Sequence, residues 1–170
     1  MTDAEIDVPQ LLDTVAAEIN TELERRGIRS PILVGIHTGG VWVARGLHDR
    51  LLARPPVGTL EVAFHRDDYA TSGLKAAVQT SEVPVTLDGR AVLLVDDVIH
   101  TGRTTRAALN ALFDYGRPQQ VLLAVLVDRG GRELPVQPDV TGTRLELPGG
   151  QRLKLRGPEP LRFMLEGETP

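Results

Sequence analysis

The spacing of apolar positions changes several times along the chain, and each change predicts an element. Leu12, Val15, Ala16, Ile19 and Leu23 recur at helical spacing, with Pro9 in the opening turn and Gly27 behind Arg25 and Arg26 at the close. Ile32 to Ile36 is a short unbroken apolar run, the mark of a strand buried on both faces. It leads through Thr38-Gly39-Gly40 into a second helical stripe of Val43, Ala44, Leu47 and Leu51. Leu60 to Phe64 predicts a second strand. Asp88-Gly89 predicts a turn between Val85–Leu87 and a strand over Ala91–Val95. A helix over Arg103–Tyr115 closes at Gly116 with Pro118 behind it, and Val121 to Val127 is a further apolar strand. Strands that alternate with helices in this way predict an α/β fold, a mostly parallel central sheet flanked by helices.

The tail changes period again. Leu145, Leu147, Leu153 and Leu155 alternate with polar neighbours around Pro148-Gly149-Gly150, which predicts an amphipathic β-hairpin packed over the sheet as a small cap. Gly157 to Pro170 is proline-rich, and its final stretch is left unassigned. With no internal repeat and no linker long enough to divide it, the 170-residue chain reads as a single domain over 1–170.

Composition narrows the function classes. A hydrophobic share of 41% with 25% charged residues is globular, no apolar run reaches membrane-spanning length, and the acidic start is unlike a signal peptide, so a soluble cytoplasmic protein without a membrane partner is expected. The absence of cysteine excludes disulfides, cysteine-ligated zinc and thiol catalysis. A net charge of −4 gives no overall attraction for nucleic acid, so any RNA binding would need a local basic patch.

The richest chemistry lies between Val92 and Thr105, where a strand-length apolar run reaches Asp96-Asp97 and a short loop through His100 leads to Thr101-Gly102-Arg103-Thr104-Thr105. The glycine permits a tight turn, and the first N–H groups of the following helix lack intrahelical partners and face an anion there, aided by the helix dipole. Threonine hydroxyls add donors, while two carboxylates offer acceptors for vicinal hydroxyls. Together they describe a ribose 5-phosphate site; the plain alternative is a buried strand followed by a capped helix.

Three further loops sit where ligands bind in open parallel sheets, beyond the carboxyl ends of strands. Thr38-Gly39-Gly40 can turn backbone N–H groups inward as an anion nest, or simply connect strand to helix. The aperiodic stretch from Arg66 to Pro84, with Arg66, Asp67, Asp68, Tyr69 and Lys75, reads as a lid or as a solvated excursion. After the last long strand, Val127-Asp128-Arg129-Gly130-Gly131-Arg132-Glu133-Leu134-Pro135 offers backbone and arginine donors to the edge of a planar base. The alternative pairs the arginines with Asp128 and Glu133.

The Val92–Thr105 stretch resembles the 5-phosphoribosyl-1-pyrophosphate (PRPP) signature of the type I phosphoribosyltransferases. Phe64-His65-Arg66-Asp67-Asp68, Val95-Asp96-Asp97-Val98, Thr101-Gly102-Arg103-Thr104, Ala107-Ala108-Leu109, Gly116-Arg117-Pro118 and Leu126 to Pro135 resemble the PyrR family, whose members are pyrimidine-operon attenuation proteins and uracil phosphoribosyltransferases. The resemblance implies the type I fold with its hood, and transfer of ribose 5-phosphate from PRPP to uracil, giving UMP and pyrophosphate. It implies Asp96 and Asp97 as catalytic carboxylates, and PRPP held by Thr38, Gly39, Gly40, Asp96, Asp97, His100, Thr101, Gly102, Arg103, Thr104 and Thr105. Arg66, Asp67 and Asp68 belong to the lid; Val127, Asp128, Arg129 and Arg132 face the base. Mg²⁺ comes with PRPP, without an assigned protein ligand, and the implied state is a homodimer or higher homo-oligomer. Related purine enzymes commonly carry an Asp where this chain has His100, which favours a pyrimidine.

Two departures qualify the resemblance. The pyrophosphate loop usually reads Thr-Arg-Gly, so Gly39 removes a cation; Gly39→Arg is expected to tighten PRPP binding by up to about tenfold, roughly 1.4 kcal/mol. RNA-binding members carry a Thr-Arg-Ile-Ala-His-type stretch where this chain has Asp13, Thr14, Val15, Ala16 and Ala17, so leader RNA is expected to bind weakly or not at all. Two other readings stay open: a UMP- or PRPP-sensing RNA regulator using Arg25, Arg26, Arg29, Arg144, Arg152, Lys154 and Arg156, and a phosphoribosyltransferase for another base.

Overall fold

The structure is a computed structural model and describes residues 2–62 and 80–167. The lid residues Arg66, Asp67 and Asp68, with Phe64 and His65, lie outside the described residues. A five-stranded parallel sheet has the order β3-β2-β4-β5-β6, formed by β2 (Ile32–Ile36), β3 (Val57–Leu60), β4 (Ala91–Ile99), β5 (Gln120–Asp128) and β6 (Val140–Arg144). β1 (Thr2–Asp3), β7 (Arg152–Arg156) and β8 (Arg162–Glu166) make a separate antiparallel sheet in the order β1-β8-β7.

Helices cover both faces. α1 (Val8–Arg25) and α2 (Gly39–His48) pack with Leu33, Leu93, Val95, Leu122 and Ala124 into one core, while α3 (Arg103–Leu112) packs Ala107, Ala108, Ala111 and Leu112 against Ile32, Val34, Val92 and Leu94 on the other face. Asp7 caps α1, its carboxylate accepting the Gln10 N–H at 3.0 Å, and Gly27 follows at φ +66°, the left-handed close expected of a glycine there. The cap sheet contributes Leu153, Leu155 and Phe163 to the α1/α2 core, so it is anchored by apolar burial.

The chain passes from β2 outward to β3, then returns to place β4 on the other side of β2. The carboxyl ends of β2 and β4 therefore form the switch point, where a crevice opens because the loops leaving the two strands diverge to opposite faces.

Several sequence expectations are corrected. The strand expected over Leu60–Phe64 runs over Val57–Leu60, because its register is set by one partner, with Leu33 opposite Val57 and Ile36 opposite Leu60. Val85–Leu87 is not a strand: the Leu87 N–H bonds to the Tyr115 carbonyl, so this segment ties down the end of the α3 region instead. Leu51 is buried but lies beyond α2, and α3 ends at Leu112 with a 3₁₀ turn over Phe113–Tyr115. The hairpin is displaced: Leu145 and Leu147 follow β6 without entering the antiparallel sheet, and β7 pairs with β8 within the proline-rich tail. β6 is already committed in parallel to β5, and the Leu145 N–H still bonds to the Asp128 carbonyl, so the first two leucines pack beside the sheet.

Candidate functional site

β4 runs through the acids to Ile99 rather than stopping before them, because its backbone still pairs with β5 there, Asp96 opposite Val125 and Ile99 opposite Asp128. Asp96 is 8% exposed, and its Oδ1 accepts the Asp97 N–H at 3.0 Å. Asp97 is half-buried, and its carboxylate lies against the α carbon of Gly39: a β carbon there would come within 2.5 Å of Asp97 Cγ. Gly40 is buried beside the other acid, where a β carbon would lie 3.3 Å from Asp96 Oδ1. Both carboxylates thus lean over the Gly39–Gly40 turn. Two motifs far apart in sequence meet at the switch point.

This approach depends on glycine for steric reasons. A β carbon on Gly40 would overlap the Val95 carbonyl, and one on Gly35 would come within 2.6 Å of the Gly40 carbonyl. The first turn of α2 is therefore pressed onto the ends of β2 and β4. Gly35 was not singled out in the sequence, although an isolated glycine inside an apolar strand is the available signal for a close backbone approach. Thr38 is exposed at the start of this turn, and the His37–Thr38 peptide is cis.

The position of Asp97 corrects the expectation for Gly39→Arg. The space an arginine stem would enter is filled by the Asp97 carboxylate, so the side chain can enter only if Asp97 turns away. The gained cation is then offset by a displaced carboxylate. Steady-state kinetics of Gly39→Arg are expected to show a lower kcat and no tightening of the KM for PRPP; a tenfold lower KM at unchanged kcat would mean that Asp97 yields freely.

Beyond Ile99 the chain makes the turn that starts α3. Gly102 sits at φ +91°, a left-handed conformation that turns the backbone into the helix, and Thr101 Oγ1 accepts the Arg103 N–H at 3.2 Å. The N–H groups of Thr104 and Thr105 have no carbonyl four residues back within the helix, so the first turn offers donors toward the crevice. Thr104 is half-buried; Thr105 is 4% exposed, so its hydroxyl belongs to the interior more than to the open face. His100 is exposed, with Nδ1 2.8 Å from the Gly130 carbonyl.

In the loop after β5, Arg132 takes the pairing with Asp128 that the sequence left open as the alternative to a base contact. Arg132 donates to the Val136 carbonyl from Nε (2.9 Å), to the His100 carbonyl from Nη1 (3.0 Å), to both Asp128 oxygens (2.9 and 2.8 Å) and to Gln137 Oε1 from Nη2 (3.1 Å). A guanidinium has five N–H donors, and these contacts occupy all of them, leaving none for a base edge. Asp128 is equally committed. The Arg132 fork, assisted by the Gly130 N–H, holds its carboxyl below the usual carboxylate range despite burial. Val127 is fully buried.

Arg129 remains. One Nη donates to the Gln151 carbonyl at 3.0 Å, while its Nε is buried without a hydrogen-bond partner among the described residues. Burial, and then the neighbouring Arg152, lower the pKa of this guanidinium below its ordinary value. A donor buried without a partner costs about 1–3 kcal/mol, so Arg129 is held where an acceptor would relieve it.

The sequence matches the phosphoribosyl transferase domain family over residues 7–148. Proteins named bifunctional protein PyrR align along most of the chain: that of Pseudomonas aeruginosa is 51% identical, covering 89% of each chain, and that of Pseudomonas syringae pv. tomato is 48% identical, covering 92% of each. The PyrR of Nitrosococcus oceani is 45% identical over 95% of this chain and 92% of its own. Among solved structures, a hypoxanthine-guanine phosphoribosyltransferase from Bacillus anthracis superposes with a TM-score of 0.67 at 16% identity, covering 86% of this chain and 83% of its own. The hypoxanthine phosphoribosyltransferase of Trypanosoma cruzi gives 0.62 at 20%, covering 82% and 77%. These structures share the fold, and the relatives share sequence over about nine-tenths of the chain or more. With a parallel sheet, two acids over a glycine turn and a left-handed glycine opening the next helix, the chain belongs to the PyrR family of phosphoribosyl transferase domain proteins.

Proposed function

We propose that this protein is a uracil phosphoribosyltransferase of the PyrR type, acting as one unit over its whole length. PRPP would place its 5-phosphate on Thr101–Thr105, its ribose hydroxyls against Asp96 and Asp97, and its pyrophosphate over Thr38–Gly40. The bond from C1 of the ribose to pyrophosphate breaks, N1 of uracil bonds to C1, and the N1 proton passes to solvent, leaving UMP and pyrophosphate. Charge develops on the ribose as an oxocarbenium, and the two carboxylates face it, which is the type of preorganised electrostatics that lowers such barriers most. The observation that carries this reading is the packing of both carboxylates over the Gly39–Gly40 turn, since two anions beside an anion nest make chemical sense when a cationic sugar centre forms between them.

The same oxygens suit Mg²⁺, a hard cation that keeps several waters and is shared with substrate phosphates; bound with PRPP, it would neutralise the departing pyrophosphate. Asp96 and Asp97 would then face it through water. On the base side, the buried Nε of Arg129 supports a hydrogen bond to a uracil carbonyl. The PyrR resemblance also supports a cytoplasmic homo-oligomer. Among the described residues no helix is long and apolar enough to cross a membrane.

RNA takes a minor place in this reading. The exposed face of α1 presents Asp13, Thr14 and Ala17, and Asp13 pairs with Arg50 at 2.6 Å, so the helix offers an acid where phosphate contact needs a cation. Two experiments test the two parts. Assays with PRPP and Mg²⁺ across uracil, orotate, hypoxanthine, guanine and adenine are expected to give UMP from uracil and little of the corresponding nucleotide from each other base. A gel shift of the same protein with pyrimidine-leader RNA at several salt concentrations is expected to show weak binding that vanishes with salt. A preference for another base would overturn the substrate, and tight, UMP-stimulated, sequence-specific binding would make regulation primary.

A further inference from the structure

The loop from Arg129 to Val136 meets the phosphate-side loop residue by residue. The Arg129 N–H bonds to the Ile99 carbonyl (3.0 Å), and the N–H groups of Glu133 and Leu134 both bond to the Thr101 carbonyl (2.9 and 3.1 Å). Arg132 holds the intervening carbonyl of His100, and Glu133 pairs with Arg103 at 2.7 Å. Gly130 and Gly131 are both left-handed, at φ +65° and +73°, and Gly131 lies so close to the His100 ring that a β carbon would come within 2.5 Å of Cε1. Gly102, in turn, lies where a β carbon would overlap Val136. Three consecutive carbonyls, Ile99 to Thr101, are therefore held by one loop. Only 14% of the Arg132 side chain is exposed, and it ties together Asp128 just before that loop, Val136 at the loop's end and the His100 carbonyl.

We propose that Arg132 is a positioning residue for the Thr101–Thr105 loop, latching it in the geometry that receives a 5-phosphate. The inference rests on the reading of that loop as the phosphate subsite. Each element of the latch has its own task. Asp128 supplies a fixed carboxylate at the end of β5, whose two oxygens match the guanidinium fork. The fork fixes the orientation of Arg132, and Nη1 and Nε then set the His100 and Val136 carbonyls relative to each other. The backbone thus held leads directly into Gly102 and the first turn of α3. A lysine has the charge but no planar fork, and its three donors share one nitrogen, so it cannot hold all of these partners at once. A loop relaxed in this way loses a phosphate contact made equally in the ground and transition states, so the loss appears in KM and not in kcat.

The test measures ribose 5-phosphate affinity by calorimetry, together with steady-state kinetics, for the wild type, Arg132→Lys and Asp128→Asn. Arg132→Lys is expected to weaken ribose 5-phosphate and raise the KM for PRPP about tenfold, the scale of one lost charge-assisted hydrogen bond. The kcat and the KM for uracil are expected to stay unchanged, since loss of a contact made equally in the ground and transition states raises only the KM for PRPP. Asp128→Asn keeps the shape of the carboxylate and is expected to move the same two quantities about threefold, half the effect in free energy. Were Arg132 merely structural, the lysine variant would lose kcat through inactive protein at unchanged ribose 5-phosphate affinity, and the proposal would fall. Were it a base contact, the KM for uracil would rise instead, with the same consequence. Should Arg132→Lys not fold, Asp128→Asn decides alone: unchanged affinity overturns the latch. A wild type that does not bind ribose 5-phosphate would refute the subsite reading and the latch with it. A wild type that binds it but makes no UMP would refute only the uracil transferase reading, and the variants would still report on the latch.

Discussion

Replacing Asp96 and Asp97 together by asparagine is expected to leave the fold intact and to lower turnover by on the order of 100- to 1,000-fold, the loss typical when preorganised charge facing a developing transition state is removed. Asparagine preserves the shape of each side chain, and Asn at 96 can still accept the Asp97 N–H that the Oδ1 of Asp96 accepts now. Neighbouring elements therefore have no reason to move. What disappears is two negative charges above the ribose. Circular dichroism and thermal melting check the fold, and single-turnover kinetics check the chemistry. Near-wild-type turnover in a folded double variant would remove the carboxylates from the mechanism.

Gly102→Val is expected to abolish binding of PRPP and UMP. A β-branched side chain at this glycine obstructs the turn and the approach of the phosphate, and the fold adds a second obstruction. In the fold, the β carbon points at Val136 on the opposing loop, and a valine at φ +91° carries backbone strain of about 1–3 kcal/mol as well. The substitution thus separates the two loops and misdirects the first turn of α3. The companion Val136→Ala removes the overlap and leaves the strain, so the double variant should recover part of the binding and not all of it. Calorimetry with UMP reads both effects. Unchanged UMP affinity in folded Gly102→Val would contradict the placement of the phosphate at this turn.

Much of the scaffold was legible because burial and periodicity agree. The first helix shows its apolar stripe, its proline entry and its glycine exit, and the structure has them at Val8–Arg25. Ile32–Ile36 needed nothing but its unbroken apolar run, since a central parallel strand is covered on both faces. The elements that moved lie where a single partner, or a late one, fixes the register. Val57–Leu60 is an edge strand placed by β2 alone, and the tail strands β7 and β8 find each other across Gly157–Leu161. Alternating leucines at 145, 147, 153 and 155 are compatible with a hairpin and with a segment leaving a parallel sheet, and only the prior pairing of β6 with β5 separates the two.

The sequence by itself determined the chemistry on offer: the paired carboxylates, the glycine-opened helix, the Gly-Gly turn and the absence of thiols are all local facts, carried by short stretches whose backbone demands are the same wherever they sit. It also determined the alternation of strands and helices that makes the parallel sheet. Tertiary structure decided how those stretches are used, because the answer depends on what lies opposite each of them. Asp97 fills the space beside Gly39, so the missing arginine is not simply a lost cation. Arg132 spends its whole fork on Asp128 and three other acceptors, while Arg129 keeps a buried donor without a partner among the described residues. The two arginines stand three positions apart in one loop and look alike in the sequence. Hydrogen-bond saturation is a property of neighbours brought from elsewhere in the chain, and it appears only when the chain has folded.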